Sequence, residues 1–204
     1  GILRNNIVRF QSEPETFSLE FISKIDIMPL LQSFTASEEH QIGPCQVEDD
    51  LLYVSIGDGS QIEQSQQLDS VLGKILRMTI NGDPAPGNPF SVDEDPGKAV
   101  NFVWASGFRN PFGLKLLDGR LFAADNGPAV DRFMRVTGGE NYLWDGSDYS
   151  IGIKADAVLS PGKGVAQMDH YPVDSLLFPE RFHNNFFMSV TGSPSQQLQG
   201  VPAV

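Results

Sequence analysis

Hydrophobic residues along this chain gather in short runs, each cut off by glycine, proline or a polar pair, without the rhythm of an amphipathic helix. Ile7-Val8-Arg9-Phe10 is one such run, and Leu52-Tyr53-Val54-Ser55-Ile56 before Gly57-Asp58-Gly59 is another. The most helical window, Glu63 to Val71, is polar and short. The pattern predicts an all-β fold of short strands, punctuated by the 20 glycines and 14 prolines.

The runs repeat. Leu52-Tyr53-Val54-Ser55-Ile56-Gly57-Asp58-Gly59 resembles Leu121-Phe122-Ala123-Ala124-Asp125-Asn126-Gly127-Pro128, and both resemble Phe186-Phe187-Met188-Ser189-Val190-Thr191-Gly192-Ser193. Each is an aromatic-bearing strand entering a glycine turn, recurring at about 65 residues. A second series keeps similar phase: Ile7-Val8-Arg9-Phe10, Ile75-Leu76-Arg77-Met78 and Phe133-Met134-Arg135-Val136. Two strand types repeating together at such a period predict the blades of a β-propeller, about three to four of them here. Propellers typically close with about four to eight blades, so these repeats either belong to a longer protein or assemble with another chain. The first is the expectation. The chain opens GILRNNIVRF without an initiator Met and ends QQLQGVPAV without a terminal element, so residues 1–204 are expected to form a single partial propeller domain, cut at both ends.

Composition narrows the function. The 204 residues suffice for one large domain or two small ones, and with 40% hydrophobic and 20% charged residues a packed core is expected. A net charge of −12 repels phosphate backbones and anionic membrane faces, which argues against a nucleic-acid partner. Cys45 is the single cysteine, so no intrachain disulfide and no cysteine-based zinc site forms, and no nearby base activates it. No apolar run approaches the ~18 residues that span a bilayer. Oligomeric state is left open.

Four clusters at strand ends carry candidate chemistry. Glu39-His40-Gln41 precedes a Gly43-Pro44 turn, and His40 is either a surface histidine or a general base poised near neutral pH. Asp58 in Gly57-Asp58-Gly59 either forms the turn or, if the two strand ends meet, accepts from one imidazole nitrogen and leaves the other free as base. Gly107-Phe108-Arg109-Asn110-Pro111-Phe112-Gly113 sets a guanidinium and a carboxamide side by side, suited to a planar anion or to pairing with one of the many carboxylates. Asn126-Gly127-Pro128 is a loop able to turn two carbonyls outward, the kind of oxygen ligand calcium favours. Asp145-Gly146-Ser147-Asp148 reads as turn chemistry, His170 and His183 as surface residues, and Trp104, Trp144, Phe186 and Phe187 as core aromatics.

The order of these motifs resembles that of the soluble pyrroloquinoline quinone (PQQ) dependent glucose and aldose-sugar dehydrogenases, six-bladed propellers. The matching stretches are EHQIGP, LLYVSIGDG, LDSVLGKILRM, NPF, ASGFRNPFGL, DGRLFAADNGP, GGENYLW and FPERF. The resemblance implies a quinoprotein oxidoreductase that oxidises an aldose or related sugar, passes hydride to PQQ and hands electrons to an acceptor, in the periplasm or outside the cell. By position it implies His40 as the base on the anomeric hydroxyl, Asp58 as its support, Arg109 over the reactive quinone carbonyl, and His40, Arg109 and Asn110 as cofactor contacts. Gly127 and Pro128 would hold a Ca2+ ion through their carbonyls, and Glu39 and Gln41 would meet the sugar.

Departures are also present. Glu39 stands where the glucose enzymes have aspartate, and Phe112 replaces a polar cofactor contact. The lysine expected after Phe186-Phe187 is absent from Thr191-Gly192-Ser193-Pro194, and two further cradle arginines would lie beyond Val204. The missing lysine favours an alternative, a non-catalytic extracellular propeller module binding sugar or protein.

Overall fold

The computed structural model describes residues 1–92, 95, 97–175 and 177–192. Twelve strands occur among them: β1 (Val8–Ser12), β2 (Leu19–Asp26), β3 (Ile42–Glu48), β4 (Leu51–Ile56), β5 (Lys74–Thr79), β6 (Val103–Ser106), β7 (Gly113–Leu117), β8 (Arg120–Asn126), β9 (Asp131–Val136), β10 (Ala157–Leu159), β11 (Val165–Tyr171) and β12 (Asn185–Val190). They form two four-stranded antiparallel sheets, β3-β4-β5-β6 and β7-β8-β9-β10, and two two-stranded sheets, β1-β2 and β11-β12. This is a partial β-propeller whose repeat phase agrees with the sequence. The aromatic-strand series falls on β4, β8 and β12, each second in its sheet, and the arginine series on β5 and β9, each third.

Packing explains why the runs are apolar throughout and do not alternate. Leu52, Val54 and Ile56 of β4 enter a cluster with Met28 and Leu31 on one side of their sheet. Tyr53, between them, joins Ile75 and Ala105 on the other side, against Leu114, Ala123 and Met134 of the next sheet. The adjacent Ala124 faces away again, toward Val165 and Met168. A sheet buried on both faces has no solvent side to which polar residues can be assigned. Each fully buried Leu, Ile or Val contributes about 1.5–3 kcal/mol relative to exposure.

The first strands β3, β7 and β11 lie side by side. Gln46 on β3 accepts from the Leu116 amide on β7 (3.3 Å), and Lys115 on β7 pairs with Asp169 on β11 (2.7 Å). In an antiparallel meander the start of each first strand and the ends of the second and fourth strands share one edge. The segments before β3, after β4, between β6 and β7, and after β8 are therefore gathered at one end of the sheets.

Several local expectations change. Gly43 and Pro44 lie inside β3, where the register shifts between Ile42 and Cys45, and a bulge of this kind tolerates proline's missing N–H. The Glu63–Val71 window contains only a 3-10 turn at Ile62–Gln66. A one-turn helix, α1 (Asp148–Gly152), follows the Asp145–Ser147 turn, its start capped by Ser147 Oγ, which accepts from the Ser150 amide at 3.1 Å. His170 and His183 are half-buried: His170 meets Asn184 and the Phe186 ring, and His183 Nε2 lies 3.0 Å from the Phe178 carbonyl. Phe187 is 47% exposed and is not a core residue. Ser193 and Pro194, where the lysine is missing, lie outside the described residues.

Candidate active site

The loop before β3 and the turn after β4 are joined by main-chain hydrogen bonds. The Gly57 amide donates to the Gln41 carbonyl (3.0 Å) and the Gly59 amide to the His40 carbonyl (3.2 Å). His40 sits in the left-handed region at φ +50°. The approach is so close that a Cβ on Gly57 would lie 2.8 Å from the His40 Cβ and run into its carbonyl oxygen. Gly57→Ala is accordingly expected to push His40 out of place and to lower the thermal midpoint, which thermal unfolding of the variant would test.

This junction sets the His40 imidazole on Asp58, with Nδ1 2.7 Å from Oδ1. A carboxylate only accepts, so Nδ1 carries the proton and Nε2 is the basic nitrogen. Asp58 Oδ1 also accepts from the Ser60 amide (2.9 Å), and Oδ2 from the indole N–H of Trp144 (2.8 Å). The Asp58 side chain is 2% exposed and that of His40 13%, so the pair is shielded without being sealed. Glu39 is exposed beside it, its Oε2 3.5 Å from the Ser60 hydroxyl, and Gln41 meets the junction through its backbone.

Asp58 leads directly to Arg109, because its amide donates to the Arg109 carbonyl at 2.7 Å. The amides of Arg109 and Asn110 both donate to the Asp125 carboxylate, Asn110 at 2.6 Å. The Arg109 guanidinium donates to the Asn126 carbonyl (2.8 Å) and lies 5.7 Å from the centre of the Trp144 ring. Among the described residues it forms no ion pair with a carboxylate, contrary to the plainer of its two sequence readings. Asn110 Oδ1 is buried with no hydrogen-bond partner among the described residues. A half-buried cation and an orphaned acceptor on one loop suit a ligand that carries both negative charge and a hydrogen-bond donor.

Asp125 and Arg132, which the sequence did not mark, hold this loop. Both side chains are fully buried, and Arg132 Nη2 donates to Asp125 Oδ2 at 2.8 Å. Arg132 also donates to the carbonyls of Gly107 (3.0 Å), Tyr142 (2.6 Å) and Ile153 (3.2 Å). The one available signal was two charged residues of opposite sign within strands, since such groups are rarely buried unless paired.

Gly127 and Pro128 line an open pocket of about 440 Å³ with Asn126, Asp131, Gly162 and Gly192. They connect to Arg109 through Asn126. Among the described residues neither carbonyl accepts a backbone hydrogen bond. The Asp131 carboxylate below them is occupied by the amides of Gly127 (3.2 Å), Lys163 (2.5 Å) and Gly164 (2.8 Å). The two carbonyls suit a hard cation, but the described residues contain no cluster of three or more His, Cys, Asp or Glu able to hold one.

A third unmarked residue, Lys74, is fully buried at the start of β5 and donates to the carbonyls of Gln64 (2.7 Å), Ser65 (2.9 Å) and Leu72 (2.7 Å). Burial pushes its ammonium down to about 7 from an ordinary 10.5. Between these values the unfolded chain binds the proton that the folded one releases, so this group makes stability rise with pH from about 7 toward 10.5. Thermal unfolding across that window should show the slope, and Lys74→Met should flatten it.

Comparison with known proteins agrees with this architecture. Residues 4–169 match the model of the Glucose / Sorbosone dehydrogenase family. Over 103 residues the chain is 30% identical to the aldose sugar dehydrogenase YliI of Escherichia coli, covering 49% of this chain and 27% of that protein. Among solved structures it resembles the PQQ-bound form of an aldose sugar dehydrogenase from Streptomyces coelicolor, with TM-score 0.65, 29% identity, and coverage of 82% of this chain and 50% of that one. A putative oxidoreductase (glucose dehydrogenase) from Thermus thermophilus gives TM-score 0.64 at 27% identity, covering 93% of this chain and 62% of that one. The chain thus spans about a quarter to three fifths of the length of these relatives. With more than half of its residues matched to the family, the chain belongs to the glucose/sorbosone dehydrogenases.

Proposed function

We propose that the whole protein is a quinoprotein oxidoreductase that oxidises the anomeric hydroxyl of an aldose or related sugar. The observation that carries this reading is the linked set His40–Asp58–Arg109: a base with its tautomer fixed, one hydrogen bond away from a residue whose guanidinium forms no ion pair with a carboxylate among the described residues. His40 Nε2 takes the proton of the anomeric hydroxyl, and Asp58 stabilises the imidazolium that results. Glu39 and Gln41, on either side of His40, orient the sugar hydroxyls. Arg109 supplies fixed positive charge where negative charge develops, at no reorganisation cost because Asn126 and Trp144 already hold it.

PQQ would fit these residues as a planar polyanion: Arg109, which forms no ion pair with a carboxylate among the described residues, would hold its negative charge, and Asn110 Oδ1, without a partner among them, would accept a hydrogen bond from it. Bound there, it supplies the two-electron acceptor for hydride. Gly127 and Pro128 supply two of the oxygens for Ca2+. A separate electron acceptor would reoxidise the cofactor, and the compartment that the family resemblance suggests is the periplasm or the cell exterior. No helix among the described residues is long and apolar enough to cross a membrane.

The test is reconstitution of the full-length apoprotein. Ca2+ and PQQ together are expected to restore sugar-dependent dye reduction, and each alone to restore much less. Failure to bind quinone would transfer the assignment to a non-catalytic module that binds sugar or protein, the reading that the lysine-free Thr191–Pro194 segment favours.

A further inference from the structure

We infer that Trp144 is a positioning residue for His40, acting through Asp58; this rests on the reading of His40 as the base. As a core aromatic, Trp144 would need only to fill space. Its indole N–H instead donates to a buried carboxylate 86 residues away in the chain, at 2.8 Å. The other tryptophan, Trp104, provides the contrast, because its Nε1 is buried without a partner among the described residues.

The geometry explains what that hydrogen bond does. Asp58 Oδ1 serves His40 Nδ1 and the Ser60 amide, and Oδ2 is left to Trp144. A carboxylate held on one oxygen alone can swing about its Cβ–Cγ bond and carry the imidazole with it. Held on both oxygens, its plane is set, and with it the direction of His40 Nε2. The cost of losing this donor is also high, since a 2% exposed carboxylate oxygen has little water to replace it.

Trp144 is itself anchored. Its amide donates to the Gly107 carbonyl (3.1 Å), while its carbonyl accepts from Gln66 Nε2 (2.9 Å) and the Ser65 hydroxyl (3.3 Å). Lys74 grips the Gln64 and Ser65 carbonyls of that same turn. The indole face also carries Arg109. One rigid side chain therefore fixes the base on its N–H edge and the cation on its ring face.

Trp144→Phe separates the two duties, since phenylalanine retains a ring face for Arg109 and loses the N–H. In the full-length protein loaded with Ca2+ and PQQ, kcat is expected to fall about 10- to 100-fold, the range seen when a histidine that ligates a metal loses its orienting hydrogen-bond partner. The KM for sugar and the quinone affinity should stay within about threefold. The second readout needs no cofactor: the low-field proton signal of the His40 Nδ1–H, recognised by its absence in His40→Ala, should shift or vanish into exchange in Trp144→Phe. If that signal is unmoved, the inference is overturned, whatever turnover does. If it moves while His40→Ala retains full turnover, Trp144 does position His40 and the assignment of His40 as the base fails instead. Should Trp144→Phe not fold, Gln66→Met, which removes one of the two donors to the Trp144 carbonyl together with the Gln66 contacts to Asn141 (2.7 Å) and the Ser65 hydroxyl (3.4 Å), is expected to move the same signal in the same direction, and an unmoved signal there overturns the inference.

Discussion

His40→Ala should lower turnover of the reconstituted full-length protein by about a hundredfold to ten-thousandfold, the usual cost of removing a general base, with quinone affinity nearly unchanged. The two effects separate because Nδ1 is committed to Asp58, leaving Nε2 for the sugar's proton and no imidazole atom required to carry the cofactor's charge. Asp58→Asn should cost less in turnover: an amide still meets the imidazole, but it cannot stabilise the imidazolium. Arg109→Ala should differ in kind, reducing quinone affinity and turnover together, because the same unpaired guanidinium faces the ligand's resting charge and the charge that develops on it. Steady-state kinetics at saturating sugar, alongside quinone titration of each variant, separates these outcomes. Near-full turnover in His40→Ala would refute the mechanism and leave the fold untouched.

The largest expected loss of stability comes from breaking the Asp125–Arg132 pair. Asp125→Ala strands a fully buried guanidinium and removes the acceptor for the Arg109 and Asn110 amides. Removing one partner of a buried pair typically costs about 3–5 kcal/mol, which chemical denaturation would report. Replacing both partners with apolar residues should recover part of that loss, since no lone charge is then left inside. It should not recover quinone affinity, because the 109–110 amides still lack their acceptor and the loop loses its conformation. A double variant as unstable as Asp125→Ala would mean that the pair contributes through the loop and not through its charge.

Strand positions and blade phase were legible because they rest on local pattern. Leu52, Tyr53 and Val54 are apolar in succession because neighbouring sheets cover both faces of β4, and Gly57 and Gly59 stop the strand whatever lies around it. The Gly43-Pro44 misreading has a related cause: the pair looks like a turn in isolation, and only pairing with β4 shows it to be a bulge inside β3. The one-turn α1 was hidden among turn residues because serine caps and serine turns use the same side chain.

His40, Asp58, Arg109 and Asn110 were visible as separate chemical groups at strand ends, with two uses open for each of the first three. Local sequence could go no further, since a histidine or an Asp-Gly turn looks the same in either role. Tertiary structure brings these groups together through contacts set by strand register and loop path. The 40–41 and 57–59 segments join, the 137–156 connection carries Trp144 to Asp58, and Arg109 is turned toward a backbone carbonyl and not a carboxylate. Asp125 and Arg132 lie in strands that carry other polar residues, and only the stacking of whole segments reveals that their charges are buried, paired and holding the loop. The chain's own pattern thus determined where strands begin and end, because burial and turn formation act over a few residues. Which polar groups meet was decided by the fold, because hydrogen bonds and ion pairs depend on positions that only the assembled sheets bring within 3 Å or so.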